Sequence, residues 1–115
     1  MRKEWRLTKS SEFATVMHYG KGWSSSLLVL KVNPNSRDST RFGFSVGKRV
    51  GKAVVRNMVK RRLKETIRST CVQEGWDIVI IGRKGVAAAD FKRLRSTLLH
   101  LLEKAQLLSS PREKH

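Results

Sequence analysis

The chain has 115 residues, enough for one domain with a modest core, and its 25 Lys plus Arg against 9 Asp plus Glu give a formal charge of +16. With 39% hydrophobic residues and only 2 Pro it does not read as a disordered basic tail, and its charge calls for a polyanion: nucleic acid first, then an acidic protein or an anionic membrane surface. The longest apolar runs, residues 27–30 and 78–81, fall far short of the ~20 needed to span a bilayer, lone Cys71 forbids an internal disulfide, and His18, His100 and His115 lack ligand spacing.

The charged opening Met1-Arg2-Lys3-Glu4-Trp5-Arg6 lacks the apolar stretch of a secretory signal, so a cytoplasmic protein is expected. A first helix is predicted between residues 10 and 19, capped by Ser10 or Ser11 and stopped by Gly20 and Gly22, with Phe13, Val16 and Met17 sharing a face. Residues 27–32 read as a strand, Asn33-Pro34-Asn35-Ser36 as a turn, and residues 41–46 as a second strand closing an antiparallel hairpin. In that second strand Phe42, Phe44 and Val46 point to a core, whereas Gly43, Ser45 and Gly47 leave the other face bare, as a docking surface or as the seat of an overlying helix.

Residues 53–69 have helical spacing, with Val55, Val59, Leu63 and Ile67 as the apolar stripe and Arg56, Asn57, Lys60, Arg61, Lys64 and Arg68 within an arc of about 140° elsewhere. Arg62 lies at the edge of the apolar arc, where its stem can pack and its head reach water. Residues 76–81 form a β-favouring run without alternation, the mark of an interior strand, ended by Gly82-Arg83-Lys84-Gly85. A second long helix is predicted over residues 88–108, striped by Phe91, Leu94, Leu98, Leu101, Leu102 and Ala105, with His100 at its core edge and residues 109–115 as a frayed tail. The order α-β-β-α-β-α predicts a single α+β domain, a mixed central sheet packed by helices.

Two motifs fail on context. Gly43-Phe44-Ser45-Val46-Gly47 matches a nucleophile elbow, but Ser45 lies inside a predicted strand and no helix follows at once. Gly47-Lys48-Arg49-Val50-Gly51-Lys52-Ala53 is one residue short of a phosphate-binding loop and has Ala where the metal-binding hydroxyl belongs. The charge run is more telling: residues 48–68 hold nine cations (Lys48, Arg49, Lys52, Arg56, Lys60, Arg61, Arg62, Lys64, Arg68) and one acid, Glu65. Solvated helix faces normally alternate in sign, and repulsion along about 25 Å of helix makes sense if phosphates neutralise it. Arg56 and Arg61 can fork phosphate oxygens or stack on a base, Lys60 and Lys64 act as point charges, and Asn57 can read a base edge or a 2′-hydroxyl.

The stretch Lys48-Arg49-Val50-Gly51-Lys52-Ala53-Val54-Val55-Arg56-Asn57-Met58-Val59-Lys60-Arg61 resembles the signature of the bacterial ribonuclease P protein component, the small basic subunit that assists a catalytic RNA in removing 5′ leaders from precursor tRNA. Also similar are Leu7-Thr8 with Phe13, Gly43-x-Ser45-Val46, Asp77-Ile78-Val79-Ile80 followed by Arg83-Lys84-Gly85, and the long last helix, so the likeness spans nearly the whole chain. The resemblance implies a left-handed β-α-β crossover like that of the second domain of ribosomal protein S5, and contact of the basic helix with RNA through Arg56, Asn57, Lys60, Arg61 and Lys64. It also implies a cleft between the first helix and the sheet for the unpaired leader, with Phe13 as a stacking ring. Met17 and Lys31 stand where the family often has further aromatics, pleat parity adds Val29 and Ser45 to the cleft, and Met58 and Arg62 depart from the signature.

The expected partners are ribonuclease P RNA and precursor tRNA, with a monomer in a 1:1 complex and no membrane. No side chain is expected to be catalytic and no cofactor to be bound by the protein alone; the Mg²⁺ needed by the holoenzyme is expected to be held mainly by RNA. The alternatives are a ribosomal or other structural RNA-binding protein and, behind it, a protein-only nuclease.

Overall fold

The structure, a computed structural model, describes residues 5–109. Its elements run α1 (Ser10–Tyr19), β1 (Lys21–Ser24), β2 (Leu28–Pro34), β3 (Arg41–Val46), α2 (Ala53–Arg68), β4 (Trp76–Gly82) and α3 (Phe91–Lys104), with 3₁₀ turns at Lys48–Val50 and Val86–Ala88. The expected single α+β domain with a mixed sheet is what forms. The strand with no polar alternation takes the most enclosed place: the sheet order is β1-β2-β4-β3, and Ile78, Val79 and Ile80 of β4 are buried on both faces.

That placement corrects the hairpin. β2 pairs antiparallel with β1 and β4, while β3 pairs parallel with β4 after the α2 crossover. A hairpin would leave β4, apolar on both sides, at an edge; inserted between β2 and β3 it loses water from both faces. β1 went unforeseen because Lys21-Gly22-Trp23-Ser24 has a single half-buried side chain and no alternation, and Gly22, with Gly20 just before the strand, reads as a helix stop. β2 extends through Pro34, and the reversal falls on Asn35, whose amide nitrogen donates to Ser39 O (3.0 Å) and Asp77 Oδ1 (2.9 Å), and on Ser36 (φ 57°).

One face of the sheet carries Leu28, Leu30, Val32, Phe42, Val46, Ile78 and Ile80 against Val59, Leu63 and Ile67 of α2 and Leu94, Leu98, Leu101 and Leu102 of α3. The other receives α1, with Val16 on Val79 beside Leu7. Arg41 ties these layers together, donating to Asp77 through Nε (2.8 Å) and Nη2 (2.6 Å) and to Glu12 of α1 through Nη1 (2.5 Å).

The helix ends differ from the sequence reading. Lys9, not Ser10 or Ser11, is the N-cap of α1, and Glu12 takes the role of the missing cap by accepting from the amides of Thr8 (3.3 Å) and Lys9 (3.2 Å). The last helix is shorter than residues 88–108: Asp90 caps it by accepting from the Arg93 amide at 2.8 Å, and after Lys104 the chain turns at Gln106 (φ 59°) so that Leu107 is buried and Leu108 bridges Val72. His100 is exposed on α3. Of the predicted tail, Ser109 is held by its amide on Cys71 O (2.9 Å), and residues 110–115 lie outside the described residues.

Candidate nucleic-acid interface

The route into α2 sets its charges. After the 3₁₀ turn Lys48–Val50, Gly51 adopts φ 155°, and a Cβ there would sit 3.1 Å from Val55, so only glycine lets the chain start the helix so closely. The first turn of α2 has no acid, its N-cap is Lys52, and Lys48, Arg49 and Lys52 are exposed around it. Cations there oppose the positive end of the helix dipole and favour an anion in front of it.

Along α2 the predicted arc divides into two rows. Arg56, Lys60 and Lys64, four residues apart, form a half-buried inner row facing the β3 edge; Asn57, Arg61 and Arg68 form an exposed outer row. Arg68 Nη1 meets Glu65 at 3.1 Å. Lys48, Arg49, Lys52, Arg56, Lys60, Arg61 and Lys64 have no ion pair among the described residues. Arg56 Nε is buried with no acceptor in the protein. Arg62 is half buried, and its head, expected in water, instead donates from Nη1 to Ala89 O at 3.4 Å.

Lys60 and Lys64 join Arg6, Leu7, Phe13, Phe42, Gly43 and Phe44 around a pocket of about 110 Å³ at the β3 edge. Lys64 Nζ lies 5.8 Å from the centre of the Phe44 ring. Its ammonium is pulled below the usual lysine range, first by burial and then by the positive charges of Arg6 and Lys60. Arg6 and Phe44 were missed as site residues; Arg6 arrives only because the segment before α1 runs beside β3, its neighbour Leu7 donating to Phe42 O at 2.9 Å.

The five predicted cleft residues lie on the α1 side of the fold. Register sets Val29 and Ser45 opposite Ile81 on either side of β4, and Lys31 and Gly43 opposite Val79. α1 covers the Val79 row, leaving Val29 and Ile81 half buried and Ser45 exposed beyond it. Phe13 is half buried and Met17 is 43% exposed. The supposedly bare Gly43 is covered, since a Cβ there would fall 2.6 Å from the Phe13 ring and 3.2 Å from Leu7. Phe13 thus packs on the sheet and also lines the pocket of the lysines. Lys31 leans the other way, its stem over Gly22. Ser45 stays within a strand, and the next helix begins at Ala53 after a single 3₁₀ turn, so the elbow geometry is absent.

Among the described residues no three His, Cys, Asp or Glu side chains gather where a metal could sit, and Glu12 and Asp77 are both engaged by Arg41. None of the described helices is long and apolar enough to cross a membrane. Fold and surface define a class: a one-sheet α+β domain with a basic helix that its own acids leave largely unneutralised, set beside an aromatic-lined pocket.

Comparison with known proteins narrows the class. A family model described as Ribonuclease P matches residues 1–106. The ribonuclease P protein component of Dehalococcoides mccartyi is 42% identical over 114 residues, covering 99% of this chain and 95% of that one. The Clostridium novyi component is 40% identical over 111 residues, covering 93% and 98%. A 2.0 Å structure of the Staphylococcus aureus RNase P protein superposes with a TM-score of 0.83 at 27% identity over 91% of this chain and 98% of that one. The Thermotoga maritima RNase P protein gives 0.80 at 32% identity over 86% and 96%. The chain belongs to the ribonuclease P protein family, the protein component of an endoribonuclease of tRNA processing.

Proposed function

We propose that this chain binds ribonuclease P RNA through the cations at the start and along both rows of α2, and receives the unpaired 5′ leader of precursor tRNA on the face between α1 and the sheet. The observation that carries the reading is the pocket where Lys60, Lys64 and Arg6 meet Phe13. Three cations with no ion pair among the described residues, beside a ring, suit a nucleotide whose phosphate and base separate to the two sides. Arg56 adds a buried donor lacking an acceptor, a state that costs about 1–3 kcal/mol and that a phosphate or 2′-hydroxyl would relieve. Asn57, exposed in the outer row, has donors and an acceptor for a base edge or ribose.

In this reading the protein's side chains bind and orient while the bond is broken elsewhere. Mg²⁺ would supply a nucleophile and charge stabilisation at the scissile phosphate, with its ligands provided by RNA in this reading; among the described residues no three His, Cys, Asp or Glu side chains gather to hold it. A 1:1 complex acting in the cytoplasm completes the proposal. The test is reconstitution with ribonuclease P RNA and precursor tRNA: Arg56→Ala or Arg61→Ala should reduce assembly more than Arg95→Ala, whose guanidinium on α3 is bonded to Ser69 Oγ at 2.9 Å. Equal losses from all three would reduce the role of α2 to net charge.

A further inference from the structure

At the edge of the sheet opposite to β3, the fold leaves a groove of about 580 Å³, within the ~300–1,000 Å³ of ordinary ligand sites. Its aromatic side chains come from three elements: Tyr19 from the end of α1, Trp23 from β1 and Trp76 from β4. Tyr19 is 72% exposed and the tryptophans are half buried. Trp23 stands opposite Leu30 and Trp76 opposite Pro34, so both rings lie on the α3 face, away from Phe13, Val29 and Ser45. Lys21 and Lys104 stand in the same groove, and among the described residues neither has an ion pair and no acid lines it. Gln106, in the left-handed region that non-glycine residues seldom occupy, adds an amide with donors and an acceptor.

One exposed ring and two half-buried tryptophans that pack on the core while lining a concavity, interleaved with cations and with no carboxylate among the described residues, complement a chain of bases and phosphates better than they complement a peptide. Stacking supplies sequence-tolerant attraction, and the lysines supply charge. We propose that this groove is a second nucleic-acid site, which holds a short run of unpaired RNA by stacking on Tyr19, Trp23 and Trp76 with phosphates on Lys21 and Lys104. It lies beside α3 toward the β1 edge of the sheet, away from the β3 edge where the α2 site sits, and stands independently of it.

The test uses the full chain and a short unstructured oligoribonucleotide carrying 4-thiouridine, irradiated and mapped by mass spectrometry. Crosslinks are expected at Tyr19, Trp23 or Trp76 as well as near α2. The double variant Tyr19→Ala, Lys104→Ala removes two exposed side chains, and with its circular dichroism unchanged it should cut groove crosslinking about 10-fold while sparing crosslinks near α2. Crosslinks confined to α2 and the α1 face would overturn the proposal and leave the α2 reading standing; their absence everywhere would overturn both. Equal competition by an abasic oligonucleotide of the same length would overturn the stacking. Lys21–Lys104 crosslinks between copies that the oligonucleotide fails to remove would assign the groove to a second copy of the chain, and would overturn it too.

Discussion

Salt should weaken binding of the chain to ribonuclease P RNA by an amount that can be worked from its unpaired cations. Lys48, Arg49, Lys52, Arg56, Lys60, Arg61 and Lys64 have no protein anion within ion-pair distance among the described residues. If about seven phosphates are neutralised, with ~0.7–0.9 counterions released at each, log Kd against log salt should have a slope of roughly 5 to 6. Raising monovalent salt from about 50 to about 200 mM should then weaken binding roughly 10³- to 10⁴-fold. The identity of the slope's contributors can be tested with two exposed arginines on one helix. Arg61 has no ion pair among the described residues, so Arg61→Ala should reduce the slope by about 1. Arg68 already meets Glu65 at 3.1 Å, so Arg68→Ala should reduce it less, by a margin kept small because both groups are more than half exposed and screened. Filter binding at fixed Mg²⁺ and varied KCl measures all three slopes. A wild-type slope below about 2, or indistinguishable losses at Arg61 and Arg68, would refute the picture of α2 as a phosphate-reading face.

Other perturbations address the α1 face and its fastening. Phe13→Ala should weaken holoenzyme binding of precursor tRNA roughly 5- to 150-fold while leaving mature tRNA nearly unchanged, with single-turnover cleavage at saturating enzyme near wild type; equal losses for both tRNAs would remove the leader from this face. Gly43→Ala sets a Cβ 2.6 Å from the Phe13 ring and should cost about 1–3 kcal/mol in urea unfolding, with a similar preference for harming precursor binding. The Glu12 carboxyl is held below its usual range, first by the Lys9 amide and then, against the opposing effect of burial, by Arg41 and the Thr8 amide. A depressed folded-state pKa means that its stabilisation is present above the ordinary carboxylate range and is lost as pH falls through the lower folded value. Glu12→Gln should therefore be less stable than wild type near neutral pH and lose less on acidification; parallel urea midpoints across that acid range would exclude the linkage. Leu63→Ala, at a fully buried position between α2 and the sheet, should cost about 2–5 kcal/mol in thermal or urea unfolding.

Which parts of this molecule could be read from sequence depended on whether the governing interaction is local. Pleat parity needs only the strand itself: Val29 and Ser45 were assigned to one face under a wrong hairpin, and they remain on one face because β4 slipped between them in register, with Ile81 opposite both. Of the predicted stripe, Val59, Leu63 and Ile67 are buried, since a helix carries its period in its own spacing, whereas Val55 is only half buried against Gly51 and Thr66 is buried in addition. The choice of strand partner depends on what else the chain offers, and the claim of doubly apolar Ile78-Val79-Ile80 on the centre of the sheet could be seen only once all strands competed. The Arg41–Glu12–Asp77 tie and the pocket of Arg6 with Lys60 and Lys64 join residues far apart in sequence, each unremarkable by itself.

The same division explains how the chain sustains so much like charge. Burial of Val59, Leu63 and Ile67 anchors α2, so that Arg56, Lys60 and Lys64 are fixed in a row by the hydrophobic side of the helix. Their repulsion is borne by folding, and a phosphate chain arriving there finds much of its binding geometry in place, with less ordering still to be done. Were the row unanchored, as in a basic tail, the same cations would attract RNA but could not hold Lys60 and Lys64 beside Phe13, where the proposed function has phosphate and base met together.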